Sequence, residues 1–210
     1  MKGFFITFEG CEGSGKSTQT KLLSEYLEKK YIPYILTREP GGNVVSENIR
    51  VLIKDMKNQS MINETEILLF AAARAQHTYE KILPALNEGK IVICDRYFDS
   101  TYAYQGYARG VKLSDINNIN KFSTFKLIPD VTFFLDITPT DAFLQKGAPD
   151  KDDRLEQTGI EFHEKVYAGY KELIKHNKKR IVVIPAYKRA PLEISLEIIN
   201  ILKKRNILGD

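Results

Sequence analysis

The segment GFFITFEGCEGSGKST (residues 3–18) indicates the class of fold to expect. Its first half, GFFITFEG, is a short apolar run that predicts a buried strand entering a glycine-rich turn. Residues 10–17 then match the pattern G-x-x-x-x-G-K-[ST] in full, and residues 17–30 predict a helix. A glycine-rich loop between a strand and a helix is the context that marks this pattern as a phosphate-binding loop. We therefore predict an α/β protein that binds a nucleoside triphosphate.

The residue types of this loop fit the binding of phosphate. Gly13 and Gly15 let the backbone turn tightly, so that successive N–H groups converge on phosphate oxygens at the positive end of the following helix. Lys16 can reach the β- and γ-phosphates, and the hydroxyl of Ser17 can ligate Mg²⁺. We assign the phosphates of the donor nucleotide to Gly10, Cys11, Glu12, Gly13, Ser14, Gly15, Lys16, Ser17 and Thr18.

Short apolar runs alternate with helical patterns along the rest of the chain. The runs PYILT (33–37), KIVICD (90–95), DVTFFLD (130–136) and RIVVIP (180–185) predict further strands. Strands that are apolar on both faces and separated by helices indicate a parallel sheet covered on both sides. We predict helices over residues 45–54, 64–87 and about 191–204, and one doubly wound α/β domain spanning residues 1–210.

Composition and charge exclude several other classes. Hydrophobic residues make up 43% of the chain and charged residues 28%, which is typical of a globular domain and not of a disordered one. No apolar run approaches the roughly 18 to 20 residues that span a bilayer, and we expect no secretory signal. Two cysteines are too few for a disulfide scaffold and predict a cytoplasmic location. The net charge of +4 is too small to indicate nucleic acid, so we expect small-molecule partners and neither nucleic acid nor membrane.

A carboxylate followed by an arginine, Asp95-Arg96, stands at the end of one apolar run. Asp95 can hold the water shell of Mg²⁺, and Arg96 indicates a second phosphate group beside it. The stretch NKFS (120–123) lacks the aspartate of the guanine-recognition motif N-K-x-D, which argues against a GTPase. This pairing is typical of a kinase that phosphorylates a phosphorylated small molecule. Because such an acceptor is already ionised, catalysis needs positioning and charge stabilisation but no general base.

Several further stretches follow the phosphate loop in a specific order. They are TREPGG (37–42), LLFAAARAQH (68–77), DRYFDSTYAYQG (95–106), PDVTFFLDITP (129–139), DRLE (153–156) and EFHEKVYAGY (161–170). Together with FEGCEGSGKST (8–18), this ordered set resembles the bacterial-type thymidylate kinases, which are P-loop nucleoside monophosphate kinases. The resemblance covers essentially the whole chain. It implies a five-stranded parallel sheet flanked by helices, phosphorylation of dTMP to dTDP with ATP and Mg²⁺, and a homodimer.

The resemblance also implies roles around the base and sugar of dTMP. Phe70 resembles the aromatic residue that stacks on thymine, and Arg74 resembles the donor to a thymine carbonyl. Their i, i+4 spacing places both on one helix face, which argues against the alternative that Phe70 only packs in the core. Ser100 and Gln105 resemble the polar contacts to the base edge, and Tyr104 resembles the residue that crowds the 2′ position of the sugar.

Charged residues complete the expected site. Arg38, Arg50 and Arg96 resemble the arginines around the acceptor phosphate, although a surface role is an open alternative for Arg50. Glu12 resembles the carboxylate that holds the 3′-hydroxyl region of the acceptor. The metal ligands that we predict are Ser17 and, through water, Asp95. The catalytic residues that we predict are Lys16, Arg96, Arg154 and Glu12.

Arg154 belongs to the polar segment QKGAPDKDDR (residues 145–154), which is either a plain surface loop or a lid that closes over the phosphates. Some thymidylate kinases carry an arginine in the phosphate loop, whereas residues 12–14 of this chain include none. The resemblance therefore implies a cation in the lid. We assign it first to Arg154, with Lys146 and Lys151 as weaker candidates because lysine lacks a bidentate fork. The alternative is that Arg154 only anchors the base of the lid.

Two other functions stay open at this point. One is a related kinase of the same fold that acts on dUMP, another deoxynucleotide or a deoxynucleoside. The other is a P-loop protein that binds nucleotide to regulate a partner, which would need no second site of aromatic and arginine residues. The residues that we expect to be structural or exposed are His77, His163, His176, Cys11 and Cys94.

Overall fold

A five-stranded parallel sheet forms the centre of the molecule in the computed structural model, which describes residues 3–147 and 149–209. The strands are β1 (Phe5–Glu9), β2 (Tyr34–Arg38), β3 (Ile91–Asp95), β4 (Val131–Asp136) and β5 (Ile181–Pro185). Their order in the sheet is β2-β3-β1-β4-β5. The predicted α/β class and each predicted strand are confirmed, with ends that shift by one residue or two.

Helices cover both faces of this sheet. They are α1 (Lys16–Lys29), α2 (Val44–Lys54), α3 (Asn63–His77), α4 (Leu83–Asn87), α5 (Phe98–Thr101), α6 (Leu113–Ser123), α7 (Pro139–Lys146), α8 (Ile160–His176) and α9 (Pro191–Lys204). Wide π-helical turns run over Thr78–Ile82 and Tyr102–Ala108, and short 3₁₀ turns over Met56–Asn58 and Glu156–Thr158. Within the described residues, no helix is both long and apolar enough to cross a bilayer.

The predicted helix over residues 64–87 is one helical path with a wide turn in it. It consists of α3, the π turn and α4, and Pro84 lies at the start of α4. Proline has no N–H to donate and its ring crowds the carbonyl four residues earlier, so a regular α-helix cannot continue through it. The prediction of a single regular helix is therefore corrected to two α-helices joined by a π turn.

Apolar side chains on both faces of β1 explain why the sheet is buried on both sides. Ile6 and Phe8 pack in a cluster with residues of α1 and α9. Phe5 points to the opposite face, where its ring lies 4.9 Å from that of Tyr97. Successive side chains of a strand alternate between faces, so a strand buried on both sides is apolar at most positions. The buried polar residues of β1, Thr7 and Glu9, have hydrogen-bond partners.

The carboxyl ends of the parallel strands place polar residues at one edge of the sheet. Glu9, Arg38, Asp95 and Asp136 each end a strand there. β1 lies between β3 and β4: the connection from β1 runs to β2 on one side of the sheet, and the connection from β3 runs to β4 on the other. Ligands of open α/β sheets bind outside the carboxyl ends at such a switch point. The phosphate loop follows β1 and therefore lies at this edge.

The predicted lid, residues 145–154, is shorter than its sequence suggested. α7 continues to Lys146, so the first two residues of the segment are helical. Ala148 lies outside the described residues. Asp153 and Arg154, at the other end, are buried.

Candidate active site

A cleft of about 490 Å³ opens at the carboxyl edge of the sheet. One end is formed by the phosphate loop and the start of α1, and the other by α3 and the turn after α5. Between them lie the ends of β2 and β3, part of α2 and both ends of the lid segment. This arrangement brings together most of the predicted site residues; those that do not line the cleft are Gly10, Cys11, Ser14 and Arg154.

The phosphate loop has the backbone geometry that its glycines allow. Gly13 adopts a φ of 77°, and a Cβ atom there would lie 2.4 Å from the carbonyl oxygen of Ala142. Lys16 is buried, and its Nζ donates to the carbonyl oxygens of Gly10 at 3.2 Å and Cys11 at 2.8 Å. Burial and the nearby Arg96 lower the pKa of the Lys16 ammonium. The lysine is thus held at the loop in a desolvated, electropositive position.

The two predicted metal ligands lie together. The hydroxyl of Ser17, in the first turn of α1, donates to Oδ2 of Asp95 at 3.0 Å. Hydroxyl and carboxylate oxygens are ligands that Mg²⁺ accepts, usually with waters and substrate phosphates completing its shell. The described residues contain no cluster of three or more carboxylate, histidine or cysteine side chains suited to a metal. The donor set fits a cation that arrives with nucleotide phosphates.

Arg96 and Glu12 form an ion pair at the centre of the cleft. Nη2 of Arg96 donates to Oε1 of Glu12 at 2.5 Å, and the Tyr104 hydroxyl lies 3.5 Å from the same oxygen. The Arg96 guanidinium also stacks over the ring of Tyr104, 5.2 Å from its centroid. Burial tends to raise the pKa of Glu12, but Arg96 and Lys16 outweigh it and hold that pKa at about 2. Glu12 is therefore ionised at any working pH.

Arg38 and Arg50 approach each other beside this pair. Both donate to the carbonyl oxygen of Pro40, at 2.9 Å and 3.0 Å. Burial and the charge of Arg38 lower the pKa of Arg50. Two neighbouring guanidinium groups repel each other, and an anion bound between them relieves this repulsion. Arg50 thus lines the cleft, which argues against a surface role for it.

Arg74 is buried at the α3 end of the cleft. Its Nε donates to Glu39 at 2.7 Å, and its Nη1 donates to Thr101 at 2.8 Å and Asn120 at 3.0 Å. These bonds leave Nη2 for a ligand in the cleft, which Arg74 lines together with Phe70. The guanidinium is therefore fixed before any substrate arrives.

Ser100 and Gln105 line the cleft, but each also has a partner outside it. The Ser100 hydroxyl donates to the carboxylate of Glu9 at 2.6 Å. Nε2 of Gln105 donates to Oε1 of Glu66 at 3.0 Å. The amide of Gln105 is thereby oriented, because its donor side is engaged and its oxygen is left as an acceptor.

Arg154 does not reach the cleft in this structure. Its Nη2 donates to Glu66 at 2.6 Å and its Nε donates to the carbonyl oxygen of Ile53 at 3.0 Å, and the side chain is 7% exposed. In this structure Arg154 lies as the alternative has it, anchoring the base of the lid, because its guanidinium pairs with a buried carboxylate. Lys146, the weaker candidate, lines the cleft and lies close enough to Glu12 to lower the pKa of that carboxyl.

The remaining histidines and cysteines have structural surroundings. His77 is buried between Thr37, 2.7 Å from its Nε2, and Glu39, 3.0 Å from its Nδ1. His163 is buried and His176 is exposed. Cys11 and Cys94 are free and buried, and burial raises the pKa of both thiols. None of them is placed to act as a nucleophile.

Several residues that support this site were not predicted from the sequence. They are Glu39, Glu66, Thr101, Asn120 and Tyr170. Glu39 and Thr101 lie inside the motifs TREPGG and DRYFDSTYAYQG, so their positions were a usable signal. Glu66 and Asn120 lie in helices whose buried faces carry no recognisable motif.

The fold and the cleft define a class of protein, the P-loop nucleotide kinases that hold a second anionic ligand opposite the phosphate loop. The family profile described as "Thymidylate kinase" matches residues 8–198. The chain belongs to the thymidylate kinase family. It is an ATP-dependent phosphotransferase that converts dTMP to dTDP.

Similar proteins cover the chain almost completely. The thymidylate kinase of Finegoldia magna is 47% identical over 204 residues, which are 97% of this chain and 100% of that protein. The thymidylate kinase of Lactobacillus acidophilus is 49% identical over 189 residues, 89% of this chain and 88% of that protein. A crystal structure of thymidylate kinase from Ehrlichia chaffeensis superposes with a TM-score of 0.79 at 37% identity, covering 96% of this chain and 100% of that one.

Proposed function

We propose that the cleft binds ATP at the phosphate loop and dTMP between α2, α3 and the turn after α5, with the γ-phosphoryl group passing between them. One observation carries this assignment. Arg38, Arg50 and Arg96 line the cleft between the phosphate loop and the Phe70–Arg74 face. An acceptor with its base against Phe70 has its phosphate among these guanidinium groups, facing the donor.

The proposed roles of the charged residues follow from their distances. Lys16 and Arg96 stabilise the negative charge that spreads over the transferring group. Glu12, kept ionised by Arg96, accepts a hydrogen bond from the 3′-hydroxyl of the acceptor. The acceptor phosphate is its own nucleophile, so these groups need only align it and exclude water.

We propose that Mg²⁺ is held by the hydroxyl of Ser17 and, through water, by Asp95. Their separation of 3.0 Å supports a shared ligand sphere. When bound, the ion supplies positive charge to the phosphate oxygens and orients them for in-line transfer. The two protein ligands fix where that charge lies relative to Lys16.

The orientation of polar groups at the α3 end supports thymine as the base. Arg74 offers a donor, which matches the carbonyl at position 4, and Gln105 offers an acceptor, which matches the N3–H group. Cytosine presents the opposite pattern at both positions, an amino group and an unprotonated N3. Stacking on Phe70 adds affinity for any pyrimidine without distinguishing them.

A coupled assay of ADP release with dTMP, dUMP, dCMP and thymidine tests the proposal. We expect activity with dTMP, lower activity with dUMP and the least with dCMP, because buried donors and acceptors left unpaired cost about 1–3 kcal/mol each. Greater activity with thymidine than with dTMP would identify a deoxynucleoside kinase. Nucleotide binding without stimulation by any acceptor would favour a regulatory protein.

We also propose that residues 1–210 act as one P-loop kinase domain in which residues 145–154 close over the phosphates. The two ends of this segment are held differently. Lys146 pairs with Glu156 at the cleft, while Asp153 pairs with Lys54 of α2 at 3.1 Å. Closure then carries Lys146 toward the transferring group while Arg154 stays fixed in the core.

A homodimer in a cytoplasmic compartment completes the proposal. Exposed apolar side chains lie on α2 and the adjacent α3: Val44, Val45, Val51, Leu52 and Leu68. A contiguous apolar patch of this kind typically marks an interaction surface, and a second copy of the chain is the occupant that the family resemblance implies. Free thiols at Cys11 and Cys94 suit a reducing compartment.

A further inference from the structure

Glu9, the last residue of β1, is a buried carboxylate directly behind the active-site arginine Arg96. Its side chain is 1% exposed, and it lies outside the set of residues that line the cleft. Oε1 accepts from the backbone N–H of Tyr97 at 2.8 Å. Oε2 accepts from the hydroxyls of Ser100 at 2.6 Å and Tyr170 at 2.7 Å. The carboxylate therefore joins β1, the segment after β3 and α8.

The two hydroxyls connect Glu9 to Arg96. Nη1 of Arg96 donates to the oxygens of Ser100 at 3.3 Å and Tyr170 at 3.2 Å. A hydroxyl has one proton, so a hydroxyl that donates to Glu9 must face Arg96 with its lone pairs. The ionised carboxylate thus sets both hydroxyls as acceptors for the guanidinium, whose Nη2 is held by Glu12 on the other side.

We propose that Glu9 is a positioning residue for phosphoryl transfer: by fixing the protons of Ser100 and Tyr170, it holds the Arg96 guanidinium in the orientation that meets the acceptor phosphate. This inference rests on the proposed role of Arg96 in the acceptor site. Glu9 itself touches neither substrate.

The charges around Glu9 make this arrangement sensitive to pH. Burial and the charge of Asp99 raise the pKa of Glu9 to about 7, whereas Arg96 and the hydroxyls of Ser100 and Tyr170 act in the opposite direction. Arg180 pairs with Asp99 at 2.6 Å, and Tyr104 and Cys94 lie close enough for the charge of Glu9 to raise their pKa values. A protonated Glu9 donates to one of the hydroxyls, whose own proton must then turn away from Glu9, toward Arg96 or toward the other hydroxyl, which lies 2.9 Å away.

Glu9→Gln tests the proposal, because the amide has the shape of the acid but not its hydrogen-bonding pattern. If its NH₂ group faces the two hydroxyls, they must accept from it and can no longer both present only lone pairs to Arg96; if it faces the N–H of Tyr97, two donors oppose each other. We expect kcat/KM for dTMP to fall about 10- to 100-fold, as for the loss of hydrogen bonds to a charged group. KM for ATP should stay unchanged.

The dependence of kcat/KM on pH distinguishes a positioning role of Glu9 from a purely structural one, which would leave this dependence unchanged. In the wild-type protein, kcat/KM for dTMP should rise with pH through the pKa of Glu9 near 7. In Glu9→Gln this limb should disappear, leaving only the titration of the substrate phosphate at about 6. An unchanged profile would overturn the proposal.

If Glu9 acts on Arg96 through the two hydroxyls, a relay, then removing the hydroxyls should also impair the use of dTMP. Ser100→Ala and Tyr170→Phe remove the acceptors individually, and each should raise KM for dTMP while leaving KM for ATP unchanged. In the Ser100→Ala/Tyr170→Phe background, Glu9→Gln should cause little further loss, because its effect passes through groups already removed. A full further loss there, or equal losses for ATP and dTMP, would contradict the relay. The single hydroxyl variants serve as the test if Glu9→Gln does not fold.

Arg96→Lys separates this inference from the function on which it rests. If Arg96→Lys leaves KM for dTMP and the rate of the chemical step unchanged, the proposed acceptor site is itself wrong. If Arg96→Lys impairs dTMP use and Glu9→Gln does not, the acceptor site stands and the positioning role of Glu9 is rejected.

Discussion

Arg74 has two roles. Its position in LLFAAARAQH predicts that it contacts the thymine base, and in the structure it also pairs with a buried carboxylate. Its Nε neutralises Glu39, a carboxylate that is 6% exposed and also contacts His77 at 3.0 Å. The sequence showed a helix face with an aromatic residue and an arginine, but not the buried anion that holds the arginine. Substitution at Arg74 therefore has two consequences.

We predict that Arg74→Ala lowers kcat/KM for dTMP and also lowers the free energy of unfolding by about 3–5 kcal/mol, because Glu39 is left as an uncompensated buried charge. Steady-state kinetics and urea unfolding measure the two effects. Arg38→Ala is the matched control, since Arg38 is exposed and pairs with the exposed Glu47: it should weaken dTMP binding with little loss of stability. A stable Arg74→Ala variant would show that the folded protein does not depend on Arg74 to neutralise Glu39.

Tyr104 is placed to read the sugar of the acceptor. It is buried at 6% exposure, lines the cleft, and its hydroxyl lies 3.5 Å from the carboxylate of Glu12, which we assign to the 3′-hydroxyl region. A ring in this position leaves little room for a 2′-hydroxyl.

Tyr104→Ala and Tyr104→Phe separate the bulk of the ring from the phenol group. We predict that Tyr104→Ala narrows the preference for dTMP over thymidine ribonucleotide by about tenfold or more, whereas Tyr104→Phe keeps it. The ratio of kcat/KM values for the two substrates is the measurement. A preference that survives in both variants would exclude a steric role for Tyr104.

At the scale of elements, the end of the lid segment is built onto the end of α2. The backbone N–H of Arg154 donates to the carbonyl oxygen of Lys54 at 2.9 Å, and its Nε donates to that of Ile53 at 3.0 Å. The last carbonyls of a helix lack partners within it and carry partial negative charge, so a cation there is stabilising. α2 also carries Arg50, which links the lid base to the proposed phosphate site.

Because Arg154 is bound to the end of α2, we predict that substituting Arg154 mainly affects stability, whereas substituting Lys146 mainly affects catalysis. Arg154→Ala should lower the free energy of unfolding by about 1–3 kcal/mol, because Glu66 loses its closest partner but keeps Arg109 and Gln105. Lys146→Ala should slow the chemical step by about tenfold or more, with a loss of stability limited to the pairing of Lys146 with Glu156, which keeps its hydrogen bond from the N–H of Asp150. Single-turnover kinetics and urea unfolding distinguish them, and Lys151→Ala is the control within the same segment. A slow chemical step in a stable Arg154→Ala variant would restore Arg154 as the lid cation.

At the scale of the whole molecule, the apolar surface of α2 and α3 should control oligomeric state. We predict that wild-type protein has the light-scattering mass of two chains and that Val44→Glu/Val51→Glu gives the mass of one, because charge at an apolar interface core is strongly unfavourable. Leu192→Glu/Leu196→Glu, on the exposed face of α9, is the matched control and should stay dimeric. A monomeric wild-type protein would refute the dimer.

Glu12 and Glu9 make the free energy of unfolding depend on pH in opposite directions. The pKa of Glu12 is held at about 2, so folding favours its ionised form. The resulting contribution to the free energy of unfolding is present above about pH 4.5 and is lost as pH falls toward 2. The pKa of Glu9, raised to about 7, means that folding favours its protonated form, so its contribution is lost as pH rises from 4.5 to 7.

We therefore predict that Glu9→Gln gains stability relative to wild type as pH is raised from about 5 to about 8, by on the order of 1–3 kcal/mol. Urea unfolding of both proteins at the two pH values gives the comparison. A difference between variant and wild type that is the same at both pH values would show that Glu9 does not titrate in this range.

The sequence alone determined the features that depend on neighbours along the chain. The phosphate loop, residues 10–17, needs only local glycines and a lysine, and the unbroken apolar runs predict buried parallel strands wherever they fold. Because parallel strands bring their carboxyl ends to one edge, even the meeting of the loop with Asp95 and Arg96 followed from the pattern. The i, i+4 spacing that places Phe70 and Arg74 on one helix face is likewise a local feature of the sequence.

Only the tertiary structure decided which charge each buried group meets. Arg154 and Glu66 are separated by 88 residues, and Tyr170 and Glu9 by 161, yet each pair forms a short hydrogen bond. No helical or strand period relates such positions, so the sequence could not show that Arg154 is already engaged or that Glu9 supports Arg96. Burial makes these partners decisive, since a charge removed from water must be neutralised by whatever the fold brings beside it.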